Sequence, residues 1–132
     1  MKDHLDEESR QAIIKYRVEK SQEALDEAKL LAESSHFDSA VTRLYYACYY
    51  LACALLIKNN VEASSHAGVK RMFSLKFVQT GILEQKYSRI FANLMQGRQL
   101  SDYEDFIYQN QESFSKYETL AKDFCDKIKS LV

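Results

Sequence analysis

The stretch from Phe37 to Ile57 limits what this chain can become more than any other. Between Ser39 and Ile57 only Arg43 carries a charge. Phe37, Val41, Leu44, Cys48, Leu51 and Leu55 recur at helical spacing, with Tyr45, Tyr46, Tyr49, Tyr50 and Cys53 forming a second stripe beside them. A strand would alternate faces at every residue; this run does not. A helix that is apolar on nearly all sides must be covered on nearly all sides. The pattern therefore predicts a central helix from Phe37 or Asp38 to Lys58, covered by helices of its own chain and in part by a second subunit. Asn59-Asn60 is its predicted exit, because asparagine tolerates a left-handed cap. The uncharged run from Leu44 to Ile57 is too short to span a bilayer and carries four tyrosines, so no membrane partner is expected.

The remaining sequence supplies the covering helices. A first helix is predicted from Asp6 to Glu33, with Ile14, Val18, Ser21, Leu25, Ala28 and Ala32 inward and Asp6, Glu7 and Glu8 at its positive end. Ser34-Ser35-His36 reads as the turn that ends it. A third starts after Ser64-Ser65, either of which can cap it, buries Val69, Met72, Phe73 and Phe77, and stops at Gly81. A fourth spans Leu83 to Arg98, with Tyr87, Ile90, Phe91, Leu94 and Met95 inward. Residues Gly97 to Tyr108 read as a loop or as a helix broken near Gly97. A fifth runs from Asn110 to Leu131 through Phe114, Tyr117, Ala121, Phe124 and Ile128. The chain has no proline and three glycines in 132 residues, which favours long helices over turn-rich sheets. One all-α domain spanning 1–132, without repeat or linker, is the expectation.

The net charge of −1 creates no global field that would attract nucleic acid, so any phosphate contact must come from a local cluster. The charged start, Met1 to Glu8, and the odd cysteine count point to a cytoplasmic protein with reduced, buried thiols. No spacing suggests a metal site or a bound cofactor.

Three features could carry chemistry. Arg98 continues the inward stripe of the fourth helix, and a guanidinium there needs a partner. Asp102 offers one, with Tyr103 beside it. The pair reads either as a structural bridge or as a face for phosphate or a protein partner. His66 opens the third helix, where the positive helix end attracts anions; it reads as a capping residue or as a binding group. Arg43 among the tyrosines must be paired, and the tyrosines themselves read first as packing, second as a platform for bases.

Taken together these segments resemble the HEPN superfamily of small helical domains. The run from Ser39 to Leu56, with Ala40, Arg43, Tyr45, Tyr46, Ala47 and Tyr49, is similar to that family's A-x-x-R-x-Y-Y-A-x-F/Y helix. Ser65-His66-Ala67-Gly68 through Phe77-Val78-Gln79-Thr80-Gly81 is similar to its S-x-H-x-G…F-V-K-T-G segment. Arg98-Gln99-Leu100-Ser101-Asp102-Tyr103 is similar to its R-x-x-A-D-Y ending. The resemblance implies a five-helix up-and-down bundle that pairs into a homodimer. It also implies a link to RNA or nucleotides, often beside a nucleotidyltransferase in a toxin–antitoxin-like or stress module. Many members are metal-independent ribonucleases in which an arginine and a histidine of an R-x(4–6)-H motif meet. Here Arg98 matches the arginine and Tyr103 the closing tyrosine. Positions 102–105 are Asp, Tyr, Glu and Asp, and no histidine follows.

Three functions follow. The first is a non-catalytic module that binds a nucleotidyltransferase or nucleic acid through a dimeric surface containing Arg98, Asp102 and Tyr103, with Arg43 and His66 as further candidate binding residues. The alternative is a ribonuclease using Arg98 with His66 or Tyr103 as acid/base. The third is a purely structural dimerisation domain in which Arg98 and Asp102 form an internal bridge.

Overall fold

The computed structural model describes residues 6–102 and 108–132, so Tyr103 lies outside the described residues. Among the described residues there are five α-helices and no strand: α1 (Glu7–Glu33), α2 (Phe37–Lys58), α3 (His66–Phe73), α4 (Gln85–Ser101) and α5 (Gln111–Lys129). The all-helical architecture is the expected one.

The α2 helix is the axis of the bundle and packs against each of the other four. Its first stripe is fully buried from Val41 onward (Val41, Leu44, Cys48, Leu51 and Leu55), with Phe37 partly buried at its start, and Ala40, Ala47 and Ala54 on other faces are buried too. By length and composition it could cross a membrane, but 67% of its most apolar window is buried inside the molecule. Here the other helices do what lipid would otherwise have to do.

The α1–α2 hairpin is made by a tight turn at Ser34–His36. Ser35 takes the left-handed conformation (φ 62°). The Ser35 amide bonds to the Ala32 carbonyl (3.0 Å) and the His36 amide to the Leu31 carbonyl (2.8 Å), which closes the orphan carbonyls of α1. The same device ends α2: Asn60 (φ 57°) bonds to Ile57 (3.1 Å), and Val61 bonds to Leu56 (2.9 Å). Both turns were legible in the sequence, although a serine in the left-handed region was not. Small residues Ser21, Ala24 and Ala28 let α1 lie close on α2. The buried Ser21 hydroxyl donates to the Ala47 carbonyl at 2.8 Å.

A second layer of the core is aromatic. Phe124 of α5 lies 5.3 Å from Phe73 of α3 and 5.7 Å from Phe91 of α4, centroid to centroid. All three cysteines are free and buried. Cys48 and Cys125 bring α2 and α5 together with their sulfurs 3.9 Å apart.

Two expectations need correction. The third helix is not uniform: after Phe73 it widens into a π-helical turn (Ser74–Val78), with the Gln79 amide reaching back to Ser74 at 2.8 Å. The widened turn lets both Phe77 and Val78 reach the core. Gly81 then stops the chain as expected (φ 85°). The fourth helix does not break near Gly97 but continues to Ser101. Gly97 is buried against the Tyr117 ring of α5, where a Cβ would sit 2.8 Å from Tyr117 Cζ. The glycine permits close approach of two helices rather than a turn.

Candidate functional site

The second stripe of α2 faces the start of α3 and the end of α4. Tyr45, Tyr46, Tyr49 and Tyr50 follow one another at helix spacing, so their rings share one side and touch in a chain of aromatic contacts. Tyr45 is wholly buried, whereas Tyr46, Tyr49 and Tyr50 are half-buried. Burial pushes the Tyr45 and Tyr49 phenols up, Tyr49 to about 12. Both stay protonated at any physiological pH.

His66 is held over this face by the cap of α3. The Ser65 side chain accepts from the Gly68 amide (2.9 Å), which sets the first helical turn with His66 at its head. The imidazole stacks on Tyr49 with centroids 4.3 Å apart. Its Nδ1 lies 2.7 Å from the Tyr45 hydroxyl. A phenol can donate to Nδ1, leaving the proton on Nε2, or accept from Nδ1–H, leaving the Nε2 lone pair open. Tyr45 thus supports either tautomer.

Arg98 enters from the last turn of α4. Its guanidinium carbon lies 5.7 Å from the ring centroids of both Tyr45 and Tyr46. Asp102 completes its surroundings: Oδ2 lies 3.3 Å from Arg98 Nε, an ion pair without the alignment of a hydrogen bond. The pair foreseen from the sequence therefore exists, and the same arginine also faces the tyrosines. His66 titrates lower than an ordinary imidazole, first because it is partly removed from water and second because the Arg98 charge opposes protonation. Both groups also lie against Tyr45 and Tyr46, which sets them in one neighbourhood.

Arg43 is paired with Glu27 of α1 (3.5 Å) and lies over Tyr46 at 5.5 Å. Tyr46 is therefore the shared neighbour of Arg43, His66 and Arg98. Arg43, His66, Arg98 and Asp102, residues from three helices and a helix end, come together; Tyr103 lies outside the described residues. The hydrogen-bonding role of Tyr45 and the stacking role of Tyr49 were not read from the sequence. Their spacing with Tyr46 was the available signal, but it is equally the signal of packing. Among the described residues no three His, Cys, Asp or Glu side chains gather as a metal site would require. The groups present are a neutral imidazole, a guanidinium and protonated phenols: an acid/base beside a fixed positive charge, at a face open in part to solvent.

Residues 14–131 match the model of the HEPN domain. The chain is 32% identical over 123 residues to a "UPF0332 protein" of Thermotoga maritima, covering 93% of each. It is 39% identical over 113 residues to "Putative toxin MJ0605" of Methanocaldococcus jannaschii, covering 85% of this chain and 83% of that one. It is 30% identical over 95 residues to a second protein of that archaeon, "Putative toxin MJ0142", covering 72% of this chain and 65% of the relative.

Proposed function

This chain belongs to the HEPN domain family, and we propose that it is a toxin-type member that cleaves RNA without a metal, through His66 and Arg98. One observation carries this reading: His66 and Arg98, 32 positions apart in sequence, both lie against Tyr45. The family motif places its histidine five to seven positions after the arginine, where this chain has Tyr103, Glu104 and Asp105. His66 supplies the acid/base from another helix. Similarity to archaeal relatives named as toxins supports the same direction.

The chemistry needs few parts. Neutral His66 takes the proton of a ribose 2′-hydroxyl. The 2′-oxygen forms a bond to the adjacent phosphorus, and the bond from phosphorus to the 5′-oxygen breaks. The products are a 2′,3′-cyclic phosphate and a 5′-hydroxyl, whose proton comes from an acid, His66 once protonated or water. Arg98 balances the charge that grows on the phosphate oxygens. Tyr45 holds the imidazole by accepting from Nδ1–H, which leaves the Nε2 lone pair to act as the base; that bond is unchanged when Nε2 takes the proton. Tyr46 and Tyr49 offer faces on which bases can stack.

A second reading has its own observation. Asp102 already pairs with Arg98, which suits a non-catalytic module that binds a nucleotidyltransferase in a toxin–antitoxin-like pair. In either reading we place the protein in the cytoplasm as a homodimer joined over part of the α2 tyrosine face, with Arg98 close to the seam and the rest of the face open to a ligand.

The test is cleavage of a labelled single-stranded RNA in EDTA by wild type, Arg98→Ala and His66→Ala, each first shown to be folded. Wild type is expected to cut, with each variant slower by about 10²-fold or more. Intact RNA with wild-type protein, alone and with a co-purified partner, would leave the binding-module reading.

A further inference from the structure

Three arginines among the described residues have an Nε shielded from solvent without a hydrogen bond: Arg17, Arg43 and Arg98. Two have a carboxylate within ion-pair distance, Glu27 at 3.5 Å for Arg43 and Asp102 at 3.3 Å for Arg98. Arg17, midway along α1, stands apart from them in having no such carboxylate among the described residues. A guanidinium cannot shed its charge at physiological pH, and keeping it half-buried and unpaired is unfavourable. An anion beside it would relieve that cost.

Arg17 lines a cavity of about 240 Å³ together with Tyr49, Cys53, Ser64 and Val69. No aspartate or glutamate among the described residues lines it. It adjoins a larger groove of about 630 Å³ that shares Ile57, Val61, Ala63 and Ser64 with it and has Glu62 on its wall. The arginine charge favours the ionised forms of both Tyr49 and Cys53, against the burial that opposes them. Hydrogen-bonding capacity there comes from the Tyr49 and Ser64 hydroxyls and the guanidinium, which suits a multidentate oxyanion. At about 240 Å³ the space is below the roughly 300–1,000 Å³ of sites that enclose a drug-sized ligand. It fits an anionic group better than a whole nucleotide.

Tyr49 belongs to both places, because the ring that lines this cavity also stacks on His66 at 4.3 Å. We propose that the cavity is a phosphate subsite, in which Arg17 holds a nucleotide phosphate next to the Arg98–His66 site. The subsite rests on reading that site as one that handles nucleotides. An RNA strand would place one phosphate at Arg98 and a neighbouring one at Arg17, with a base against Tyr49. A free mononucleotide would occupy Arg17 alone.

The experiment separates these sources and keeps the subsite distinct from cleavage. Binding of a fluorescent single-stranded oligoribonucleotide is measured by anisotropy at several salt concentrations, in a His66→Ala background so that the RNA stays whole. Thermal stabilisation by AMP and by inorganic phosphate is measured with wild-type protein. Arg17→Ala is expected to weaken oligonucleotide binding at least fivefold and to reduce the salt slope by about 0.7, the value for one phosphate contact on a single strand. Arg17→Lys should recover part of both. If Arg17→Ala does not fold, Arg17→Gln takes its place. Stabilisation by AMP or phosphate that needs Arg17, without oligonucleotide binding, supports the subsite and assigns it to free nucleotides. A wild type that cuts no RNA yet binds any of these ligands through Arg17 removes the nuclease reading and leaves the subsite standing. Folded Arg17 variants that bind all three ligands as the parent does, or a parent that binds none, overturn it.

Discussion

His66 concentrates what single residues do in this protein. A histidine is defined by which form it holds near neutrality. Here partial burial and then Arg98 both disfavour the imidazolium. Because the folded pKa is the lower one, the unfolded chain takes up this proton first as pH falls. The contribution to stability is whole above about pH 6.5, the ordinary imidazole value, and is lost as pH drops toward the folded pKa. Two results are expected from NMR titration of the His66 ring. The wild-type midpoint lies below 6.5, and Arg98→Ala raises it. A midpoint at or above 6.5, or one that ignores Arg98→Ala, would contradict the shared neighbourhood of the two groups. Cleavage that uses neutral His66 as base should accordingly persist into mildly acidic solution, with its acid limb below pH 6.5.

At the level of elements, the site depends on how helices end and how closely they pass. The Ser65 cap places His66, and the continuation of α4 through Gly97 places Arg98. Gly97 is the sharper test. Its missing side chain leaves room for Tyr117, whose ring atoms stand 2.8 to 3.0 Å from where an alanine Cβ would sit. Gly97→Ala should therefore destabilise the fold by about 1–3 kcal/mol despite the better helix propensity of alanine. Urea unfolding checks this, and pairing it with Tyr117→Ala should recover part of the loss relative to the sum of the single changes. Stabilisation by Gly97→Ala alone would show that α4 and α5 do not pass so closely. The sequence marked Gly97 as a breaker because glycine reads the same way in both roles; only the ring of Tyr117, 20 positions away, tells them apart. The π-helical turn at Ser74–Val78 was illegible for a similar reason. It serves packing of Phe77 and Val78 onto other helices, and local propensity carries no record of that.

For the molecule as a whole, burial is concentrated on α2 and on the Phe73–Phe91–Phe124 cluster. Phe124 is completely buried and touches both other rings. Phe124→Ala should cost about 3–5 kcal/mol, a large part of the roughly 5–15 kcal/mol available to a domain, measurable as a fall in the urea midpoint. The half-buried tyrosines give a second prediction at this scale. If the α2 face joins two copies, sedimentation should return twice the 15.4 kDa chain mass, and Tyr50→Glu should shift the protein toward monomer by placing a charge in the seam. A wild-type monomer at micromolar concentration would remove the dimer from the proposed function.

The sequence by itself determined the helical class, the identity of the central helix and the family motifs. These follow from local spacing and from the rule that uncharged surface must be covered, and neither needs the partner helices to be known. It also pointed to the Arg98–Asp102 pair, because positions four apart on a helix are neighbours whatever else happens. What only the tertiary structure decided was which distant residues meet. Tyr45 could be plain core until the α3 cap brought His66 to 2.7 Å from its hydroxyl. Arg17 could be an ordinary solvated residue until the bundle set its shielded Nε beside a cavity without a carboxylate on its described wall. Contacts of this kind depend on the packing of several helices at once, and no periodicity within one helix encodes them.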